Sequence, residues 1–499
     1  DNAIDLVKKF VEKQFIKKGQ EVVEMNWKAI DMAADAVKEV PIPSKITESA
    51  EVTKLVQDDK DSFANDIIDP IWRLKGDTIP VSKMPVDGRI PTGTKRVEWN
   101  GRSGPVITKW ASKSDLVKDM DVQFDEPYFE YPGSCFGCGE IPYVHLVAQL
   151  YGDRLMIANA TGCSSIYGGT FPTTPYTKDS RGYGQAWANS LFEDNAEYGF
   201  GYRLAVDANR DQLKLNVELL LDKGTTGELA ASLKKNLDLW KSVSREAKDA
   251  AEKTRSLLPA AVKQATKETQ PILRKIVELQ DYLIDKSIWI FGGDGWAYDI
   301  GYGGLDHVMA QQKNVNVLVM DTEVYSNTGG QSSKATPRGA IAKFAADGKK
   351  IGKKNLGLMM TTYGHVYVAS VNMGMNREQV LQAIVEAEAY DGPSIVIAYS
   401  PCIAHGYDMK LSVKQAKSAT ESGYWPLYRY NPANELVGKE AFSWDTPEAT
   451  VDFKAYSGKE IRYRALELSK PEEYQRLENL AREDNKRRFE ELKRLGDDE

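Results

Sequence analysis

The sequence predicts an α/β fold with a mostly parallel sheet flanked by helices, preceded by an extended linker region. Three observations lead there. From about Tyr128, short apolar runs such as SIWIF (Ser287–Phe291), NVLVM (Asn316–Met320) and Ser394–Ala398 alternate with helix-length segments. Strand–helix–strand order of this kind builds a parallel sheet with right-handed crossovers. Between Pro41 and about Asp121, prolines at 41, 43, 70, 80, 85, 91 and 105 interrupt every periodic pattern, the mark of extended chain. The composition, 42% hydrophobic and 27% charged over 499 residues, supports sizeable cores.

Taken in order, residues 1–40 read as the helical end of an upstream domain. Ile4, Val7, Phe10 and Val11 share one face, and Lys17-Lys18-Gly19 stops the pattern. Residues 41–127 are the Pro/Gly-rich linker, and 128–468 the main domain. In that domain Asp153–Ala158 is a strand ending in the loop Asn159–Ser165. A long helical stretch covers about 183–285, with Leu229, Leu233, Leu237 and Trp240 at helix spacing and Pro259 and Pro271 dividing it. Strand Ser287–Phe291, helix Ala297–Gln312 and strand Asn316–Met320 follow, then strand Val366–Val371, helix Arg377–Tyr390 and strand Ser394–Ala398. Residues 469–499 form a charged C-terminal helix with Pro471 in its first turn, a solvated or docking element.

Several function classes fall away. Lys plus Arg total 65 against 72 Asp plus Glu, a net charge of −7, which argues against a nucleic-acid partner. No run approaches the roughly 18 apolar residues of a membrane span. Four cysteines rule out a disulfide scaffold and point to a reducing compartment, cytoplasm or an organelle. The chain opens on Asp1 rather than Met, which suggests a piece of a longer protein.

The sharpest local feature is Gly293-Asp294-Gly295, where the strand SIWIF meets its helix. Ligands of parallel sheets bind at carboxyl ends of strands, and glycines there let backbone approach phosphate. Alone, the triplet is most often a turn. Its spacing adds weight: Asp321 ends the next strand 26 residues after Gly295, and the chain continues Thr322-Glu323-Val324-Tyr325-Ser326-Asn327. One helix and one strand then bring Thr322 beside Asp294, where two oxygens can share Mg²⁺ with a diphosphate.

Cys135 and Cys138 form a C-x-x-C pair, Cys163 lies 25 residues on, and Cys402 another 239 beyond that. Cys163 and Cys402 each follow a predicted strand, so strand ends on one sheet edge can gather all four beside the diphosphate site. The pattern fits a [4Fe–4S] cluster, with zinc or unliganded thiols as alternatives. His145, His307 and His365 read as packed side chains, and His405 stands near Cys402 without a required role.

The stretches EYPGSCFGCGEIPYVHL, IANATGCSSIYGGT, ANSLFEDNAEYGFG, GGDGWAYDIGYGGLDHVMA, VMDTEVYSNTGGQSSKATPRG and SPCIAHG span about Tyr128 to Tyr407. They resemble the C-terminal thiamine diphosphate domain of the pyruvate:ferredoxin oxidoreductase family, and Pro80–Thr94 resembles its linker. The resemblance implies a thiamine diphosphate-binding fold. Cys135, Cys138, Cys163 and Cys402 would hold a [4Fe–4S] cluster, and Asp294, Thr322 and the Val324 carbonyl would hold Mg²⁺. Glu140, Cys163, Gly293, Asp294, Gly295, Trp296, Thr322, Val324 and Asn327 would contact thiamine diphosphate. Asn327 would lie near the reacting carbon, with Phe192 packed nearby.

It further implies oxidative decarboxylation of pyruvate, coenzyme A as co-substrate, and electrons leaving singly through the cluster. The acceptor would be ferredoxin, flavodoxin or a fused NADP-linked flavoprotein. The enzyme would be a homodimer whose pyrimidine- and coenzyme A-binding parts lie outside this chain. Three departures stand out: Thr322 occupies a position that is Asn in the general thiamine motif; no ferredoxin-like module with its own cysteines follows the linker, being either lacking or omitted from this sequence; and nothing in residues 1–127 resembles the family's N-terminal, pyrimidine-binding domain. The alternatives are another 2-oxoacid:acceptor oxidoreductase and a non-catalytic scaffold built on a four-cysteine metal.

Overall fold

The computed structural model describes residues 2–16, 19–35, a few positions between 66 and 83, 127–170 and 174–497. The predicted linker lies almost wholly outside the described residues. Two compact units divide at about Leu55. In the first, helices α1 (Asn2–Phe15) and α2 (Gln20–Asp35) flank Gly19, whose φ of +108° suits glycine at the reversal. The Trp27 indole N–H donates to the Lys8 carbonyl at 2.9 Å, and Lys8 pairs with Asp31 at 2.5 Å, tying the two helices together.

The second unit is built on an eight-stranded sheet. Its strands are β1 (Leu155–Ala160), β2 (Ala186–Ser190), β3 (Ser287–Gly293), β4 (Asn316–Asp321), β5 (Tyr367–Val371), β6 (Ser394–Tyr399), β7 (Tyr428–Tyr430) and β8 (Phe442–Trp444). The order is β2-β1-β3-β4-β6-β5-β7-β8, parallel from β2 to β5, with β7 and β8 added antiparallel.

The central strands carry apolar runs, such as Ile288–Phe291, Val317–Met320 and Ile395–Ala398, because both faces are covered. Side chains alternate between two cores. Ile288, Ile290, Val317, Val319, Ile395 and Ile397 face one, while Trp289, Phe291, Leu318, Met320, Val396 and Ala398 face the other. Helices cover each face, making three layers. Helix α3 (Ile141–Tyr151) and the helix Arg377–Ala389 supply Val144, Val147, Val380 and Ile384 to the second core.

Four helices between β2 and β3, Asn195–Asp222, Gly227–Asp238, Arg245–Lys263 and Gln270–Leu279, close their own core around Leu213, Leu233, Leu258 and Ile276.

Three local expectations change. The stretch from 183 is not helical at first: Ala186–Ser190 is a strand, held by its parallel ladder to β1 and by Trp187, which donates to Asn159 at 3.1 Å. Pro259 does not divide a helix but lies inside Arg245–Lys263, where burial of Leu258 and Thr254 outweighs the proline's local cost. The expected helix 297–312 is two pieces, a π-helical turn Gly295–Ile300 and the helix Tyr302–Ala310. They meet at Gly301, where a Cβ would stand 2.2 Å from the Trp296 ring. The tail helix Pro471–Asp497 is docked, burying Tyr474, Leu477, Ala481 and Leu492. Among the described residues no helix is long and apolar enough to cross a membrane.

Candidate functional site

The sheet register decides which residues meet. β1, β3, β4 and β6 are consecutive neighbours, with Gly293 opposite Met320 and Asp321 opposite Tyr399. Their carboxyl ends therefore present, side by side, the segments carrying Cys163, Asp294, Thr322 and Cys402. This is the edge at which parallel sheets bind ligands.

Asp294 is buried, and both its oxygens are engaged. Oδ1 accepts the Thr322 hydroxyl at 2.9 Å and the Thr322 backbone N–H at 3.2 Å; Oδ2 accepts the Ser333 hydroxyl at 2.5 Å. The Thr322 hydroxyl also lies 3.0 Å from the Val324 carbonyl. Burial, reinforced by nearby Asp321, raises the Asp294 carboxyl to about 7. Ser333 carries no signal in the sequence, since it reaches Asp294 from a loop 39 residues away.

Trp296 is buried, with its ring against Gly292 and Gly301 and its indole N–H without a partner among the described residues. Among the described residues, a Cβ on Gly293 would find only the Met320 carbonyl, at 3.8 Å, so they leave the backbone bare on that side. Asn327 is exposed in the turn after Tyr325, and Phe192 is half-buried against the first core.

His405, to which the sequence assigns no required role, is fully buried. Its Nε2 lies 2.9 Å from the Thr322 carbonyl, an acceptor only, so that nitrogen carries the proton. Burial, with Arg462 beside it, lowers its pKa and keeps the ring neutral. The residue thus steadies the loop after β4, at Thr322, rather than a cysteine.

The C-x-x-C loop is laid onto the segment after β6. The Gly139 N–H donates to the Pro401 carbonyl at 2.9 Å, and a Cβ on Gly139 would sit 2.3 Å from the Pro401 nitrogen. Only glycine allows that approach. Cys163 opens the short helix Cys163–Gly168, its Sγ 3.2 Å from the Ser326 hydroxyl.

Burial pushes the Cys163 thiol up to about 12 and the Cys402 thiol to about 11, and raises Cys138 as well. The thiols also act on one another electrostatically: Cys135 and Cys402 on Cys163, and Cys163 on Cys138. Among the described residues no three His, Cys, Asp or Glu side chains sit close enough to share one ion.

Glu140 directly precedes α3 beside this loop and is buried, without a side-chain capping bond to the helix. Burial raises its carboxyl to about 7 against the opposing hydrogen bond from Tyr167, and its Oε2 has no partner among the described residues.

Two family models match this chain: the C-terminal TPP-binding domain of thiamine pyrophosphate enzymes over residues 277–398, and a domain of unknown function named EKR over 49–99. The first covers β3 and β4 with both halves of the oxygen cluster. Pyruvate:ferredoxin oxidoreductase of Moorella thermoacetica is 39% identical over 602 aligned positions, covering 100% of this chain and 51% of that protein. The chain matches the C-terminal half of the pyruvate:ferredoxin and pyruvate-flavodoxin oxidoreductases.

The pyruvate-flavodoxin oxidoreductase of Trichormus variabilis is 51% identical over 355 residues, 70% of this chain and 29% of that one. The chain spans about half the length of most of the curated relatives it matches, and those relatives are enzymes. Because the Moorella alignment runs over 602 positions, about a hundred of them face gaps in the 499 residues here. A solved 2-oxoglutarate:ferredoxin oxidoreductase from Magnetococcus marinus aligns with a TM-score of 0.34, at 16% identity, over 58% of this chain and 79% of that one. That likeness is too weak to bear on fold or function.

Proposed function

We propose that this chain is the half of a pyruvate:ferredoxin- or flavodoxin-type oxidoreductase that binds the diphosphate of thiamine diphosphate through Mg²⁺ and carries an adjacent [4Fe–4S] cluster. The whole enzyme would convert pyruvate and coenzyme A to acetyl-CoA and CO2. Electrons would pass to ferredoxin, flavodoxin or a fused NADP-linked flavoprotein. The missing half would bind the pyrimidine ring and coenzyme A, and the assembly would be a homodimer.

The observation that carries this reading is the oxygen set at the ends of β3 and β4. Octahedral Mg²⁺ holds oxygens at 2.0–2.1 Å, which places neighbouring ones about 2.9 Å apart. The Thr322 hydroxyl stands 2.9 Å from Asp294 Oδ1 and 3.0 Å from the Val324 carbonyl, so the donors fit that ion. A Thr hydroxyl in the place of an Asn amide still supplies a neutral oxygen. For the cluster, the support is the ligand set itself: four cysteines, carried by the C-x-x-C loop seated against Pro401 and by the segments after β1 and β6, supply the four thiolates that a [4Fe–4S] cluster takes.

Thiamine diphosphate, when bound, supplies a nucleophilic carbon and an electron sink for a 2-oxoacid, and the cluster accepts electrons one at a time. The chain's residues would do the positioning. Asp294, Thr322 and Val324 fix the metal, and bare Gly293 admits phosphate oxygens. Trp296 and Phe192 wall the site against water. Glu140, its carboxyl raised to about 7, would exchange a proton near neutral pH, and Asn327 would offer its amide at the open end.

Proton and metal compete for Asp294. With its carboxyl raised to about 7, Mg²⁺ affinity is expected to fall about tenfold per pH unit below that value and to level off above pH ~8. Calorimetry of the full-length enzyme in buffers of different ionisation enthalpy measures both the affinity and the proton released. A pH-independent affinity would remove Asp294 from the ligand set.

Ser326 gives a second test. A hydroxyl donating to a ligating sulfur raises a cluster's potential. Ser326→Ala, which deletes the group 3.2 Å from Cys163 Sγ, is expected to lower the midpoint in an EPR-monitored redox titration. An unchanged midpoint would mean that no such bond reaches the cluster.

A further inference from the structure

Between the two loop ligands stands a residue that the proposed chemistry does not use. Glu323 has a φ of +61°, in the left-handed region that side chains with a Cβ rarely adopt. Glycine or asparagine would take this conformation more readily, so the carboxylate must have its own reason to be there. It is completely buried and heavily held. Arg462 Nη2 lies at 2.8 Å, Lys353 Nζ at 3.2 Å, and the Tyr424 hydroxyl donates to Oε1.

The backbone of Glu323 is also bonded on both sides. Its N–H donates to Asp321 Oδ1 at 3.0 Å, and its carbonyl accepts the Thr336 hydroxyl at 2.6 Å. Arg462 is in turn paired with buried Glu460 at 2.7 Å, and Lys353 with Asp321 at 2.8 Å. The contacts come from four separate parts of the chain, and they hold one reversal of the backbone. That reversal is what turns the Thr322 hydroxyl and the Val324 carbonyl to the same point, 3.0 Å apart.

We infer that Glu323 is a positioning residue: its buried ion pairs with Arg462 and Lys353 hold the left-handed turn that sets the spacing of the Thr322 and Val324 oxygens for Mg²⁺. The inference rests on the proposed Mg²⁺–diphosphate site and adds the device that shapes it. Mg²⁺ demands near-ideal octahedral spacing, whereas Ca²⁺ tolerates varied geometry and more ligands. A slackened turn therefore costs Mg²⁺ more than Ca²⁺.

The test is metal titration of the full-length enzyme with thiamine diphosphate, read by intrinsic tryptophan fluorescence, for wild type, Glu323→Gln, Tyr424→Phe and Asp294→Ala. Glu323→Gln keeps the shape but loses the charge, and is expected to weaken Mg²⁺ binding on the order of tenfold, as lost support around a ligand typically does. Its preference for Mg²⁺ over Ca²⁺ should fall with it. Tyr424→Phe, a milder change, is expected to move both quantities in the same direction by less, and decides the matter if Glu323→Gln does not fold.

An equal loss of both metals would overturn the positioning role in favour of general destabilisation. Wild-type Mg²⁺ affinity in the Glu323 and Tyr424 variants, with Asp294→Ala still defective, would overturn the inference and leave the site standing. Wild-type affinity in Asp294→Ala would instead overturn the site and the inference resting on it.

Discussion

Asp294→Ala in the full-length enzyme is expected to abolish pyruvate oxidation and to weaken Mg²⁺-dependent thiamine diphosphate binding by on the order of a hundredfold or more. Asp294 is the one charged member of the proposed oxygen set, and its Oδ1 organises Thr322 through two hydrogen bonds. Removing it takes away both the charge that matches the cation and the group that orients a second ligand. Asp294→Asn separates these effects, since the amide keeps the shape without the charge.

The same carboxylate strains the metal-free fold. A carboxyl whose folded pKa of about 7 exceeds its unfolded value near 4 contributes fully to stability only below that unfolded value. The contribution is lost as pH rises through about 7. Metal-free Asp294→Asn is therefore expected to melt higher than metal-free wild type at pH ~8, with the difference shrinking toward pH 5. Loss of cofactor binding together with a gain in thermal stability would be the signature of a functional, rather than structural, acid. Unchanged Mg²⁺ affinity in both variants would remove the assignment.

The second large effect concerns the cysteines. Purified enzyme is expected to absorb broadly near 400 nm and to contain about four irons for the four cysteines of this chain. Cys163→Ala and Cys402→Ala should each lose that cluster and with it electron transfer to any acceptor, while thiamine diphosphate binding persists. Cys163 is the more telling site because it also touches Ser326 on the cofactor-side loop. Iron analysis, absorption and EPR of the reduced protein measure the outcome. A colourless protein with stoichiometric zinc would sink the cluster assignment and leave a structural four-cysteine site.

Much of the fold is legible along the chain, for a physical reason. β3, β4 and β6 are buried on both faces, so each has a continuous apolar middle, with polar residues only toward its ends, and stands out as a run. Gly293-Asp294-Gly295 and Thr322 can be found because strand–helix–strand geometry converts a sequence spacing into neighbouring strand ends. β2 escapes detection because an edge strand such as AWANS needs no apolar run; its ladder to β1 holds it. β7 and β8, of three residues each, carry too little pattern to register alone.

The supports of the site are less visible. Ser333 reaches Asp294 across 39 residues, His405 reaches Thr322 across 83, and Arg462 reaches Glu323 across 139. No local periodicity encodes such pairs. A charged residue such as Arg462 in the segment RYRALELS reads as a solvated helix face until the fold buries it against Glu323 and Glu460.

Local chemistry along the chain pointed to the class of fold, the carboxyl edge where a ligand would sit, and the cysteine and oxygen donors proposed for it. These follow from period, spacing and residue type, which short-range sterics and side-chain chemistry dictate. Folding in three dimensions decided how those donors are held. It set Glu323 in a left-handed turn between buried cations, seated the C-x-x-C loop on Pro401, and placed His405 against the Thr322 carbonyl. Buried charges and close backbone approaches are stable only when distant segments meet around them, so only the packed structure specifies them.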